Sequence, residues 1–292
     1  MNLDQLRIFI AVAARGHVTR AAKTLGMSQS AVSAAVKALE TSTGVRLFDR
    51  VGRNIELSQA GAAFLPEAKA VLDRASAARH VLENLSRRVA GSLSIAASQT
   101  IAGYWLPTRL AAFHDAYPAV RLDVSAGNTR QVETAVLDGS VDIGLVEGRT
   151  RSDVLKRTRV DIDRLVLVTG PDAGTRCGPA GPDIAGMRWI VRERGSGTRE
   201  VLEDLATQQG LAFDELQVFL VLPGNEAIRQ AVEAGAGATV ISERVVARSI
   251  TEGTLTHIPL DVPVRDFAMI THCERQPSLS LIALKEHLLM AR

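Results

Sequence analysis

Residues 18–37, VTRAAKTLGMSQSAVSAAVK, decide how the amino-terminal part of the chain is read. Ala21, Ala22 and Leu25 recur at helical spacing and give the first half of this stretch a small apolar stripe. Gly26 ends that helix, because glycine adopts the left-handed backbone of a helix exit without a Cβ clash. Ser28 is a natural N-cap for a second helix, in which Val32, Val36 and Leu39 share one face. A small residue at Ala22, glycine at the turn and a branched anchor at Val32 form a helix-turn-helix pattern. The outward residues of the second helix are then Gln29, Ser30, Ser33, Ala34 and Lys37. Amides and hydroxyls at such positions can read base edges, and a lysine can hold a phosphate. A helical hairpin whose polar face is accidental is the competing reading, and the flanking sequence discriminates between them.

Upstream, residues 3–15 predict an amphipathic helix that supports the pair and is broken at Arg15-Gly16-His17. Downstream, residues 45–57 (VRLFDRVGRNIEL) place Leu47, Phe48, Ile55 and Leu57 on either side of Val51-Gly52-Arg53-Asn54, the pattern of a short hairpin. Arg46, Arg50 and Arg53 cluster in it. A basic hairpin directly after a helix-turn-helix reads as a wing, from which an arginine can enter a minor groove. Ser58 then caps a helix expected to continue to about Arg88. Phe64, Ala68, Val71, Ala75, Ala78, Leu82, Leu85 and Val89 follow one another at alternating steps of four and three. That heptad seam predicts a two-stranded coiled coil and hence a homodimer, with packing onto the protein's own body as the alternative. Roughly thirty helical residues extend about 45 Å. Pro66 lies inside and is expected to kink or restart the helix.

Beyond a hinge at Val89-Ala90-Gly91 the pattern changes to short apolar strands alternating with helices. Strands are expected at 92–97, 120–125, 141–146, 164–169, 188–191, 217–222, 237–241, 255–258 and 266–271. Helices are expected at 101–116, 130–138, 198–209, 225–235, 243–250 and 277–289. The alternation argues for α/β units with mainly parallel sheets, in two lobes. The fold class is therefore mixed: a winged helix-turn-helix over 1–58, a long dimerisation helix over 59–90 and a two-lobed α/β domain over 91–292. Lobe I comprises about 91–161 and 266–292, and lobe II about 162–265.

The charge distribution fits this division. The formal net charge is only +2, yet residues 1–90 carry 13 Lys+Arg against 7 Asp+Glu, leaving the remainder acidic. A basic head suggests a polyanion partner, double-stranded DNA. No apolar run approaches the roughly 18 residues that span a membrane. The start, MNLDQLRIFIAVAARG, reads as a helix rather than an export signal. The two cysteines, Cys177 and Cys273, lack metal-ligand spacing and are expected to be reduced thiols in a cytoplasmic protein. Six scattered histidines and the absence of a nucleophile elbow, HExxH or paired carboxylates argue against an enzyme and against a metal site. A solute-binding transport protein would share the two lobes but not the basic head.

Three polar stretches follow predicted strands, the positions that face a cleft in an α/β domain. They are Ser98-Gln99-Thr100, Gly127-Asn128-Thr129 and residues 192–199, RERGSGTR. Each opens a helix, whose N-terminal N–H groups and dipole favour an anion. In the third, Gly195 and Gly197 let backbone approach a ligand, Ser196 and Thr198 offer hydroxyls, and Arg199 is expected to complement its charge. It lacks the Lys-Ser/Thr ending of a nucleotide phosphate loop. Each stretch alone could be simple capping, whereas three together suggest a small-molecule site. Glu147 reads as an exposed loop carboxylate.

With these pieces in order, the chain resembles a LysR-type transcriptional regulator over essentially its whole length. The resemblance rests on Leu6, Phe9, Val12, Ala21-Ala22, Leu25, Ser28-Gln29-Ser30, Val32-Ser33, Lys37, Leu39-Glu40, Gly44, Leu47-Phe48, Arg50, Arg53, Leu57-Ser58 and Gly61. It implies DNA contacts from Ser28, Gln29, Ser30, Ser33, Lys37, Arg50 and Arg53, and tetramers built as dimers of dimers. It also implies an effector domain like that of periplasmic binding proteins, without a cofactor. Ala34 stands where many members have arginine. Residues 192–199 and Gly224-Asn225-Glu226-Ala227-Ile228 resemble regulators of sulfur assimilation and carbon fixation. That resemblance implies an inorganic oxyanion, a small carboxylate or a phosphorylated metabolite as effector.

Overall fold

The computed structural model describes residues 1–51, 54–85, 88–171, 177–178 and 181–290, which divide into two compact units, 1–85 and 86–292. In the first, α1 (Leu3–Arg15) opens with a capping box between Asn2 and Gln5. It packs on α2 (Val18–Leu25) and α3 (Gln29–Thr43), which are joined at Gly26 with φ 64°. Ile8, Val12, Ala21, Ala22 and Val32 form the core of this helix pair. Strands β1 (Phe48–Val51) and β2 (Asn54–Leu57) pair antiparallel, Phe48 opposite Leu57, as the hairpin spacing predicts. Ser58 then caps α4 (Gln59–Leu85), its Oγ accepting from the Gly61 N–H at 3.0 Å.

Helix α4 differs from its expected form in two ways. It is described as far as Leu85, with Arg88 already in a bend, and runs unbroken through Pro66. The first seam positions are also absorbed by the head, where Phe64 and Ala68 join Leu6, Phe9 and Leu39 in a second core. Val71 and Leu82, by contrast, are exposed. Val89 lies beyond the helix and packs against the core of the second unit.

That unit contains two five-stranded sheets. The first has the order β4 (Val120–Gly127), β3 (Gly91–Ser98), β5 (Ile143–Glu147), β14 (Arg265–His272), β6 (Leu155–Asp163). Helices α5 (Leu106–Ala116) and α10 (Leu279–Met290) cover one face through Trp105, Phe113, Phe267 and Leu284, while α6 (Thr129–Leu137) covers the other through Val132 and Val136. A π turn, Ile101–Trp105, leads into α5 where one continuous helix was expected. The second sheet has the order β11 (Gln217–Leu222), β10 (Arg188–Arg192), β12 (Ala238–Ser242), β7 (Leu165–Thr169), β13 (Thr256–Ile258). It lies between α7 (Gly197–Gln208) on one face and α8 (Asn225–Glu233) with α9 (Glu243–Thr251) on the other. A two-residue strand pair, β8 (Cys177–Gly178) and β9 (Gly181–Pro182), stands apart.

The sheets are mixed rather than mainly parallel. β14 runs antiparallel to β5 and β6, and β7 antiparallel to β12 and β13, because the chain must leave the first lobe and return to it. It leaves between Asp163 and Leu165 and returns between Ile258 and Arg265. Strand β6 was not expected. Its exposed Lys156, Arg157 and Arg159 obscure the alternation, although such charges suit an edge strand.

Candidate functional site

In the first unit, Gln29, Ser30, Ser33, Ala34 and Lys37 are all exposed on α3, while Val32 and Leu39 are buried. Ser28 is exposed too, but its Oγ accepts from the Ala31 N–H at 3.2 Å and lies 3.0 Å from Ser30 Oγ. Gln29, Ser33 and Lys37 line an open concavity together with His17, Thr19, Arg46 and Asp49. His17 is the N-cap of α2 and makes no side-chain cap bond, so the first N–H groups of that helix lack a capping acceptor. Sequence reasoning singled out neither His17 nor Thr19. Glu40 Oε1 accepts from the Leu47 and Phe48 N–H groups at 2.7 and 3.2 Å and so fixes the start of the wing to α3. Arg46 is exposed, Arg50 lies in β1, and Arg53 falls outside the described residues.

In the second unit, the polar stretches at the ends of β3, β4, β5 and β10 converge between the lobes. Ser98, Thr100, Asn128, Thr129, Glu147, Arg192, Ser196, Thr198, Asn225 and Arg265 are all buried. Glu147, expected on an exposed loop, is only 2% exposed at the end of β5. Its carboxylate accepts from the hydroxyls of Ser98 and of Thr100, the latter at 3.0 Å, and Thr129 Oγ1 donates to its backbone carbonyl at 2.7 Å. Burying a carboxylate is tolerable only with such partners.

Several bonds cross between the lobes. Asn225 of lobe II donates through Nδ2 to Thr100 Oγ1 at 3.0 Å and accepts from Arg192 Nη1 at 2.5 Å. Asn128, which caps α6, donates to Glu193 Oε1 at 3.0 Å, and the Arg130 N–H donates to the Gly195 carbonyl at 3.2 Å. Gln99 accepts from the Asn225 N–H and donates to the Pro223 carbonyl. Gly197 admits no side chain, since a Cβ there would overlap the Glu147 carbonyl oxygen. At the rim, Tyr104 donates its hydroxyl to Glu226. Burial and that carboxylate push the Tyr104 hydroxyl up to about 12.

Arg199, expected to complement the charge of a ligand, is engaged elsewhere. Its guanidinium pairs with Glu203 at 2.7 Å, stacks on Phe213 and donates to the Arg192 carbonyl, all within lobe II. Among the described residues, Arg192 and Arg265 place buried guanidinium groups against cleft side chains. Arg192 stood in the quoted stretch without an assigned role, and nothing local marked Arg265. The described residues contain no group of three His, Cys, Asp or Glu placed to hold a metal. They also contain no helix long and apolar enough to cross a membrane.

Comparison with known proteins matches both units. Residues 3–62 match the family described as bacterial regulatory helix-turn-helix protein, lysR family, and residues 86–291 the LysR substrate binding domain. The chain is 36% identical to the uncharacterised HTH-type transcriptional regulator YeiE of Escherichia coli K12, over 96% of this chain and 94% of that one. It is 30% identical to the HTH-type transcriptional regulator CbbR of Rhodospirillum rubrum, over 92% and 89% of the two chains. Among solved structures, full-length CbnR complexed with its target DNA aligns over 100% of both chains, with 26% identity and a TM-score of 0.64.

Proposed function

The chain belongs to the LysR family of DNA-binding transcriptional regulators, and we propose that a small anion bound between its two lobes controls how it engages promoter DNA. It is a regulator, as its relatives are, rather than an enzyme. One observation carries the effector reading. Buried hydroxyls from three strand ends, Ser98, Thr100, Thr129 and Thr198, converge with two buried guanidinium groups across the lobe boundary. Hydroxyl donors, helix N-termini and arginine together form an environment for an oxyanion, a small carboxylate or a phosphorylated metabolite. Such a ligand must share the Ser98 and Thr100 hydroxyls with Glu147, which favours a ligand that itself carries a proton. Asn128, Ser196 and Gly197 shape the site through capping and close backbone approach, and Gln99 ties lobe I to Asn225.

On the DNA side, Gln29, Ser30, Ser33 and Lys37 face the major groove and Arg50 and Arg53 serve the wing, with Ser28 holding the start of the recognition helix. The similarity to CbnR in its target-DNA complex supports this arrangement. Two heads are joined through α4, dimers pair into tetramers, and the protein acts in the cytoplasm. Effector binding shifts the populations of lobe arrangements, as it can only if its affinity for them differs.

A thermal-shift screen of inorganic oxyanions and small carboxylates tests the reading. A cognate anion raises the melting temperature and alters the gel shift of a fragment upstream of the protein's own gene. In the Ser98→Ala/Thr198→Ala variant that stabilisation disappears. Full stabilisation of the double variant would place the ligand elsewhere.

A further inference from the structure

Arg265 stands where the chain re-enters lobe I. It begins β14, on which the chain returns from lobe II, and is the register partner of Asp163, which ends β6, on which the chain departs. Both side chains are buried, Arg265 at 6% exposed and Asp163 at 0%. The Nε and Nη2 groups of Arg265 donate to Asp163 Oδ2 at 2.9 and 2.7 Å. Asp163 Oδ1 in turn accepts from Ser242 Oγ at 2.6 Å, at the start of α9. The rest of the guanidinium turns to the cleft. Nη1 donates to Thr198 of lobe II at 3.0 Å, and Nη2 reaches Thr100 of lobe I at 3.4 Å and lies 3.6 Å from Glu147. One planar group thus touches both lobes and both crossover strands. Of its five N–H donors, these bonds among the described residues use four and leave one on Nη1.

We propose that Arg265 is the cationic contact of the anionic effector and that its fork to Asp163 transmits occupancy of the cleft to the two crossover strands. The proposal rests on the anionic-effector reading above. A ligand oxyanion meets the spare Nη1 hydrogen and replaces the neutral hydroxyl acceptors of Thr198 and Thr100 with an ionised one, so that donor and acceptor both carry charge. The opposite edge of the same rigid plane stays bound to Asp163, so a shift of the guanidinium moves the points at which β6 ends and β14 begins. Lysine would supply the charge without the two-edged geometry. Asp163 is a positioning residue here, acting on the ligand through Arg265.

Hydrogen–deuterium exchange on the full-length protein tests this, with inorganic phosphate, sulfate and oxalate each added to saturation. In the wild type, a bound anion should protect residues 98–100 and 197–199 and also change exchange in 155–163 and 265–272. In Arg265→Lys, affinity for that anion should fall at least tenfold. In Asp163→Asn at saturating anion, protection of 98–100 and 197–199 should remain while the response of the crossover strands is lost. Wild-type affinity in Arg265→Lys overturns the proposal, as does a full crossover response in Asp163→Asn. If neither variant folds, the wild type decides: protection at 98–100 and 197–199 without change in the crossover strands also overturns it. Should none of the anions protect 98–100 and 197–199 in the wild type, the anionic-effector reading fails and takes this proposal with it.

Discussion

Glu193 shows how a single side chain sets the conditions under which the lobes stay together. Burial alone would raise its carboxyl, but the Arg192 guanidinium and the Asn128 amide hold it below the ordinary carboxylate range. A carboxyl depressed in the folded state contributes stability above its unfolded value of 4.5, and that contribution is lost as pH falls through the lower folded value. As pH falls below about 4.5 that contribution therefore shrinks, and folded Glu193 takes up its proton, weakening its bonds to Asn128 and Arg192, only at the lower folded value. Glu193→Gln should melt with a flatter pH profile over this range, and a profile parallel to the wild type would remove the residue from the acid response. The hydroxyls of the cleft were marked in the sequence because three Ser/Thr-bearing stretches recur after a strand and before a helix, although each alone fits simple capping. Arg265 and Asp163 were not, since they stand 102 positions apart and meet only where two crossovers run side by side. Glu147 misled because a carboxylate at a strand end normally faces water.

Among the elements, the wing depends on the first turn of α4. Ser58 donates through Oγ to the Arg46 carbonyl at 2.8 Å and through its N–H to the Leu47 carbonyl at 3.0 Å. Gly61, one turn on, lies so close to Leu47 that a Cβ would overlap its carbonyl oxygen. Gly61→Ala should therefore push the wing off α4, destabilise the head by about 1–3 kcal/mol and weaken DNA binding. Calorimetry of the full-length protein checks the first effect and gel shifts the second. An unchanged head transition would show that the wing relaxes freely. Gly61 belonged to the resemblance, but its reason is visible only when the helix is laid against the hairpin. Helices and inner strands, by contrast, could be read from periodicity alone. The π turn at Ile101–Trp105 and the charged edge strand β6 could not, because neither leaves a distinct periodic signature.

For the whole molecule, the exposed side of α4 bears on assembly. Val71, Val81 and Leu82 stand 43%, 47% and 69% exposed on a helix whose earlier apolar residues are absorbed by the head. A second copy of α4 is the proposed cover. Leu82→Glu should shift the protein towards monomer in sedimentation, without lowering the melting temperature of the effector domain, and an unchanged sedimentation coefficient would exclude this face. The two crossovers carry a different consequence, which concerns synthesis. Lobe II is an insertion within lobe I, so residues 165–258 emerge from the ribosome before the last strand of the lobe they interrupt. Strand β6 has β14 as its sheet partner, and β14 also lies against β5. Until residues 265–272 emerge, lobe I has an uncovered β5 edge and β6 has no ladder to join. The domain translated around the insertion must therefore be the last to close, and a chain that stops before Arg265 would present its nascent sheet edges to other chains.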